Sequence, residues 1–320
     1  MKIFTNPNYD FLRWRWHAIV LSLAVIVGGF GVMAAKGLPL GIDFSGGLGL
    51  VVQGASESEV RRALDALPGE KVVQQYDDAA KGQVLIRLPQ AGDGSAETLD
   101  RQASQIQETL TAAGLKTTVV RRELVSAVIG TDLQRRGIWA TVASILAITV
   151  YIAFRFRPSF ALGAIAATLH DILVTLSVLV FVGYDLSLNV VAALLTITGY
   201  SVNDTIVVFD RVRENLRSMR RQPLDQVVNT SVNQTLSRTV ITAGTTFLSV
   251  LALYLFGGEA LRGFAFTMLV GIVSGTYSTV FIASAIAIIL SQRRRGSASA
   301  AEPTSTAQDK GRKPRRARAS

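Results

Sequence analysis

"LNVVAALLTITGYSVNDTIVVFDRVREN" (Leu188–Asn215) is the stretch on which the fold turns. Leu188–Phe209 is a single apolar run, and crossing the hydrocarbon of a bilayer as a helix takes about 20 such residues. The run holds a carboxylate, Asp204, in its last third, and then the chain becomes openly polar at Asp210, Arg211, Arg213 and Glu214. A charge at mid-bilayer costs about 2.5–3.5 kcal/mol on insertion scales, so such a group faces the interior of a helix bundle and marks a functional path. Asp204 therefore implies both a membrane bundle and a task inside it.

Further apolar runs of similar length lie at His17–Lys36, Gly137–Phe154, Phe160–Gly183, Thr239–Phe256 and Phe264–Leu290. Composition agrees: 49% of the 320 residues are hydrophobic and only 18% are charged. Lys and Arg in short flanking segments stay on the cytoplasmic side. Lys2, Arg13 and Arg15 precede the first run, and Arg155 and Arg157 join the second to the third. Arg211, Arg213, Arg217, Arg220, Arg221 and Arg238 fall between the fourth and fifth, and Arg293–Arg295 follow the sixth. The opposite short loops, Tyr184–Ser187 and Gly257–Gly263, hold only Arg262. Both termini are thus expected inside the cell. The first run resembles a signal peptide in its basic start and its Ala34–Ala35, but it is longer than a usual signal core, and cleaving it would spoil the charge parity.

The net charge of +10 does not point to nucleic acid, because residues 291–320 hold nine Lys/Arg against Glu302 and Asp309 and so supply +7 of it. A polybasic segment beside a last span suits anionic lipid, at about 1 kcal/mol per charge near the surface. Cysteine is absent and the histidines are only His17 and His170, which excludes disulfides and Cys- or His-rich metal sites. No cofactor is expected.

Residues 37–136 change texture. Leu48–Gly54 alternates as a strand, and Ser56 with Glu59 forms a capping box before a short helix to Leu67. Lys71–Tyr76 and Val84–Leu88 read as strands around a turn, Glu97–Ala113 as a helix stopped by Gly114, and Lys116–Arg122 as a last strand. The order β-α-β-β-α-β is the ferredoxin-like split motif. It holds no phosphate loop and no Ser/His/Asp set, so a binding or conformational module is expected rather than an enzyme. The fold class is a polytopic α-helical membrane protein with six transmembrane helices and one external α+β ferredoxin-like domain. Its parts are a cytoplasmic N-terminus (1–16), a first transmembrane helix (17–36), the external domain (37–136), helices two to six (137–290) with a cytoplasmic loop at 210–238, and a disordered basic tail (291–320).

Inside the membrane the polar residues fall in stripes. Thr168, Asp171 and Thr175 share one face of the third span. Asn189, Thr196, Tyr200, Asn203 and Asp204 fall within about a third of the wheel on the fourth, and Arg238, Thr242, Thr245 and Ser249 follow helical spacing on the fifth. The plainer reading is that such hydroxyls bond their own helix backbone and that Gly271-x-x-x-Gly275 serves helix packing. For Asp204 with Arg238 a functional role outweighs it. His170 falls off the Asp171 face by about 100° and reads as structural. Asp171 and Asp204 do not suggest an aspartyl protease, since Asn203 stands where that chemistry's Gly-x-Gly-Asp needs glycine.

At this point the residues resemble a known family. "GIDFSGG" (Gly41–Gly47), "LHDILVTL" (Leu169–Leu176), "GYSVNDTIVVFDRVREN" (Gly199–Asn215) and "QTLSRTVITAGTT" (Gln234–Thr246) are similar, in order and placement, to the SecF family of bacterial protein-export subunits. The resemblance covers roughly residues 1–292. It implies half of a transporter of the resistance-nodulation-division superfamily in the bacterial inner membrane, completed by SecD and associated with the SecYEG channel, YajC and YidC. It implies a substrate, unfolded preprotein, and use of the proton-motive force. It also implies a proton pathway through Asp204 and Arg238, to which the stripes add Asp171, Thr242 and Asn203. A passive scaffold subunit and a small-molecule exporter of the same superfamily remain as alternatives.

Overall fold

The computed structural model describes residues 7–65, 67, 71–76, 82–88, 96–125 and 127–300, with side chains left out at 96, 127, 128, 259, 260 and 293–300. The expected turn at 77–81 and the tail from 301 onward lie outside these residues. After a short 3-10 turn, α1 (Arg15–Lys36) runs as the first long helix and stops at Gly37, whose φ of 79° few other residues adopt. A single helical turn, α2 (Ile42–Ser45), then leads into the small domain.

That domain follows the expected order: β1 (Gly47–Gln53), α3 (Glu57–Leu64), β2 (Val72–Gln75), β3 (Gln83–Leu88), α4 (Ala96–Ala112) and β4 (Thr118–Val125). Its sheet has the order β2-β3-β1-β4 with every pairing antiparallel, as a ferredoxin-like split motif requires. Alternation puts Leu48, Leu50 and Val52 on one face, where they bury with Val84 and Ile86 under Val60 and Leu64 of α3 and Leu99, Ile106 and Leu110 of α4. Each such side chain contributes about 1.5–3 kcal/mol on burial. The capping box is present. The Ser56 hydroxyl and backbone N–H both donate to Glu59, and these bonds hold its carboxyl below the usual range. The last strand is later than the sequence suggests: β4 pairs with β1 from Thr118 to Val125, with an irregularity between Val51 and Val52.

The bundle adds α5 (Ala127–Arg155), α6 (Pro158–Val182), α7 (Leu188–Ser218), α8 (Leu224–Phe256), α9 (Glu259–Ser278), a π-helical turn (Thr279–Ala283) and α10 (Ser284–Ala300). Among the described residues, six helical stretches are long and apolar enough to cross a membrane, α9 to α10 counting as one. The chain is a multi-pass membrane protein. Helices extend beyond their apolar runs in two places. The helix that carries the second apolar run begins at Ala127, and its first turns pack on α2: a Cβ at Gly130 would sit 2.9 Å from the Phe44 carbonyl oxygen. The segment 210–238 is mostly helix, since α7 and α8 run on beyond their apolar portions. Asn215 donates to Ser231 and Gln234, both at 2.8 Å, which zips the two extensions together. Hydropathy marks where lipid ends, not where a helix does. The final helix likewise runs to Ala300, past the expected boundary at 290.

The third, fourth and sixth spans form the centre, while α1, α5 and α8 present most of their surface outward. Close approach depends on small residues. A Cβ at Gly163 would meet the Ala283 carbonyl oxygen at 2.6 Å, and one at Gly275 would meet Ser201 Cβ at 2.9 Å, while Gly271 faces Ile197. Gly271→Leu is expected to push α9 off α7 at a cost of about 1–3 kcal/mol or more. A lowered thermal unfolding midpoint in detergent checks this, and an unchanged midpoint would count against the close packing.

Candidate functional site

Asp204 sits on α7 against α8, half-buried between them. Its Oδ1 accepts a 2.8 Å hydrogen bond from the Thr239 hydroxyl. Its Oδ2 is buried and has no hydrogen-bond partner among the described residues. Arg238, the residue before Thr239, is exposed on α8, near enough to attract the carboxylate but not in an ion pair with it. One oxygen is therefore anchored and the other buried without a hydrogen-bond partner among the described residues.

Asp171 is built in the opposite way. It is 1% exposed at the centre of the bundle. Ser201 of α7 donates to Oδ2 at 2.5 Å and Ser278 of α9 donates to the same oxygen at 2.7 Å. Ser274, one turn before Ser278, donates to Oδ1 at 2.8 Å, and His170 Nδ1 lies 3.0 Å from Oδ1. A carboxylate offers about four lone-pair positions, and here they are all engaged. The arrangement joins α6, α7 and α9 through one acidic group. His170 is thus a partner of Asp171 rather than a bystander. Successive residues diverge by about 100° at Cβ, yet a rotated imidazole can fold back to the next side chain. Its ring also stacks on Tyr277, whose hydroxyl donates to the Ala18 carbonyl of α1. The π-helical turn begins at once after Ser278, in a span where such turns often mark functional positions.

The predicted residues fall into two places. Asp204, Arg238 and Thr242 line the α7–α8 surface, and Asp171 lies in the central cluster, sharing no hydrogen-bond partner with Asp204. Thr242 donates to the Arg238 and Thr239 carbonyls of its own helix, and Thr245 and Ser249 bond back in the same manner. Asn203 neighbours Asp204 but is exposed, as are Arg238, Thr242, Thr245 and Ser249. These make a polar band on an outer surface of the bundle. Reading along the chain missed the donors Ser201, Ser274, Ser278 and Thr239. The i, i+4 spacing of Ser274 and Ser278 beside Gly271 and Gly275 was the signal available for two of them.

At the opposite end of α7, the open sheet face and the 183–187 loop enclose a cleft of about 590 Å³, lined by Gly49, Val51, Gln74, Arg87, Tyr184 and Arg262 among others.

Comparison with known proteins places these features. Residues 105–293 match the model of the family described as protein export membrane protein SecD/SecF, C-terminal. The protein translocase subunit SecF of Rhodothermus marinus is 41% identical over 305 residues, covering 92% of this chain and 96% of that one. The crystal structure of SecDF, a translocon-associated membrane protein from Thermus thermophilus, superposes with a TM-score of 0.79 at 36% identity. It covers 90% of this chain, which spans 39% of that longer one. SecDF in a super-membrane-facing form gives a TM-score of 0.69 at 37% identity, covering 93% of this chain and 40% of that one.

Proposed function

Because the chain belongs to the SecD/SecF family of protein-export membrane proteins, we propose that it is a translocase subunit that uses the proton-motive force to help draw preprotein outward. The observation that carries the proton part is Asp204: a carboxylate in a membrane span, anchored on one oxygen by Thr239 and open on the other. Protons are taken up there and released as Arg238 withdraws and returns. Asp171 is the acidic group around which the helices pack, and Thr242 and Asn203 line the band beside Asp204. Release of preprotein from energised vesicles, with and without an uncoupler, tests the assignment.

The polar band of Asn203, Arg238, Thr242, Thr245 and Ser249 supports a partner in the membrane, since lipid would leave charge and amide unsatisfied. The partner we propose is SecD, which the SecDF relatives carry in the same chain. The pair serves the SecYEG channel in the inner membrane, with YajC and YidC as further associates, and unfolded preprotein as substrate. Anionic lipid holds the basic tail. Catalysis is not part of this reading. The back-bonded Thr242, Thr245 and Ser249 favour a passive scaffold as the second reading, which the vesicle test separates from the first.

The Lys/Arg bias orients the chain with both termini cytoplasmic and the ferredoxin-like domain outside. The natural chain has no cysteine, so single cysteines report cleanly. A cysteine replacing exposed Gln107 of α4 is expected to react with an impermeant maleimide added to intact spheroplasts, and one replacing Arg217 is expected to react only after lysis. The reverse pattern would invert the topology.

A further inference from the structure

The small domain touches the start of α7 in a particular way. Asp43 of α2 accepts, on Oδ2, a 2.9 Å hydrogen bond from the Leu188 N–H, so an acid from a distant part of the chain caps that helix. The Ser187 hydroxyl caps it from within, accepting from the Val190 N–H at 3.3 Å. Just before, Leu186 N–H donates to the Pro39 carbonyl at 2.7 Å and Gly41 N–H donates to the Leu186 carbonyl at 2.8 Å, a parallel bridge between Leu40 and Leu186. Gly41 is needed for this approach, because a Cβ there would lie 3.1 Å from the Leu186 oxygen. On the sheet side, Arg87 of β3 forms an ion pair with Asp185, the two side chains only 19% and 21% exposed. These bonds gather on 185–188, the segment that opens α7. From there α7 is one unbroken helix to Ser218, and Asp204 lies on it about 24 Å further along at the helical rise.

We propose that Asp43, Arg87 and Asp185 are positioning residues that clasp the external domain to the start of α7, so that domain and helix move as one body. Displacement at Asp204 then reaches the domain without an intervening flexible joint. The inference rests on the reading of Asp204 as the proton-carrying group only for what drives the motion, not for the clasp itself. Within the clasp, Asp43 fixes the helix end, the Leu40–Leu186 bridge fixes the strap, and Arg87–Asp185 fixes the sheet. Asp43 also sits in the turn whose Phe44 carbonyl packs on Gly130 of α5, so the second span braces the same joint.

The test uses membrane vesicles from cells whose own copy is replaced by the full-length variant. Arg87→Asp is expected to reduce gradient-dependent preprotein release about tenfold or more, the fold-change of one charge-assisted hydrogen bond lost. The exchange Arg87→Asp with Asp185→Arg is expected to restore it, which a variant that merely misfolds would not do. Leu40→Cys with Leu186→Cys supplies a covalent substitute. Strand neighbours lie about 5 Å apart at Cα, within reach of a disulfide. The oxidised pair, placed in the Arg87→Asp background, is expected to recover release, and reducing it to lose release again. Normal release by Arg87→Asp would overturn the clasp, and so would an oxidised pair that blocks release in the otherwise natural chain. Asp204→Asn run in parallel separates the two ideas: normal release there would remove the proton reading while the clasp arms still stand or fall on their own.

Discussion

Inverted vesicles carrying Asp204→Asn are expected to lose the gradient-dependent part of preprotein release while holding near-normal amounts of folded protein. The substitution keeps the size of the side chain, and its amide oxygen can still accept from the Thr239 hydroxyl, so α7 and α8 stay packed. What disappears is the unpartnered carboxylate oxygen to which the proposed reading assigns the proton. Each proton crossing 100 mV contributes about 2.3 kcal/mol, enough to bias a conformational step roughly fiftyfold. Arg238→Met should show the same loss, because on the proposed reading the cation's withdrawal and return govern uptake and release of the proton. Asp204→Glu should keep part of the activity. Thr239→Val, which removes the anchoring hydroxyl and little else, should weaken the response without abolishing it. The decisive comparison is with an uncoupler. If Asp204→Asn vesicles still slow on its addition as the natural chain does, the carboxylate is a packing element and the scaffold reading stands.

Asp171→Ala is expected to fail differently, by loss of the folded bundle. Ser201 and Ser274 would each keep a buried hydroxyl with no acceptor in place of the carboxylate, Ser278 would keep only its bond to the Gly275 carbonyl, and His170 would lose its contact. Interhelical hydrogen bonds in membrane proteins average about 0.6 kcal/mol and reach about 1.7, so this cluster is worth on the order of 2–6 kcal/mol. That is a large share of a marginal stability. Thermal unfolding in detergent should show a clearly lowered midpoint and cellular amounts should fall. Asp171→Asn should lie between, since one of its two positions becomes a donor facing serine donors. Should Asp171→Ala fold normally yet lose only its gradient dependence, Asp171 would belong with Asp204 on the proton path.

The contrast between these two aspartates marks how far the sequence could be read. Both stood out for one reason, a charge inside an apolar run, and periodicity assigned each to a helix face. Their different surroundings were not visible along the chain, because the donors come from other helices: Thr239 from α8, Ser201 from α7, Ser274 and Ser278 from α9. Serine spacing on one helix cannot say which carboxylate on another it will meet. His170 shows the same limit at shorter range, where one side-chain rotation overrode the helical wheel.

Local rules determined a good deal. Runs of about 20 apolar residues placed the spans, because lipid demands that every backbone group be bonded within its own segment. Alternation, a capping box and Gly114 placed the strands and helices of the small domain, whose sheet order then followed the split motif. What hydropathy could not place were the ends. α5 starts ahead of its apolar run, where Gly130 packs on the Phe44 backbone, and α7 and α8 run past their apolar portions, where Asn215 bonds Ser231 and Gln234. The clasp of Asp43, Arg87 and Asp185 was beyond sequence altogether. It joins residues more than a hundred positions apart in the case of Asp43 and Leu188, and such pairing exists only once the strap, the sheet and the head of α7 have been brought together by the packed fold.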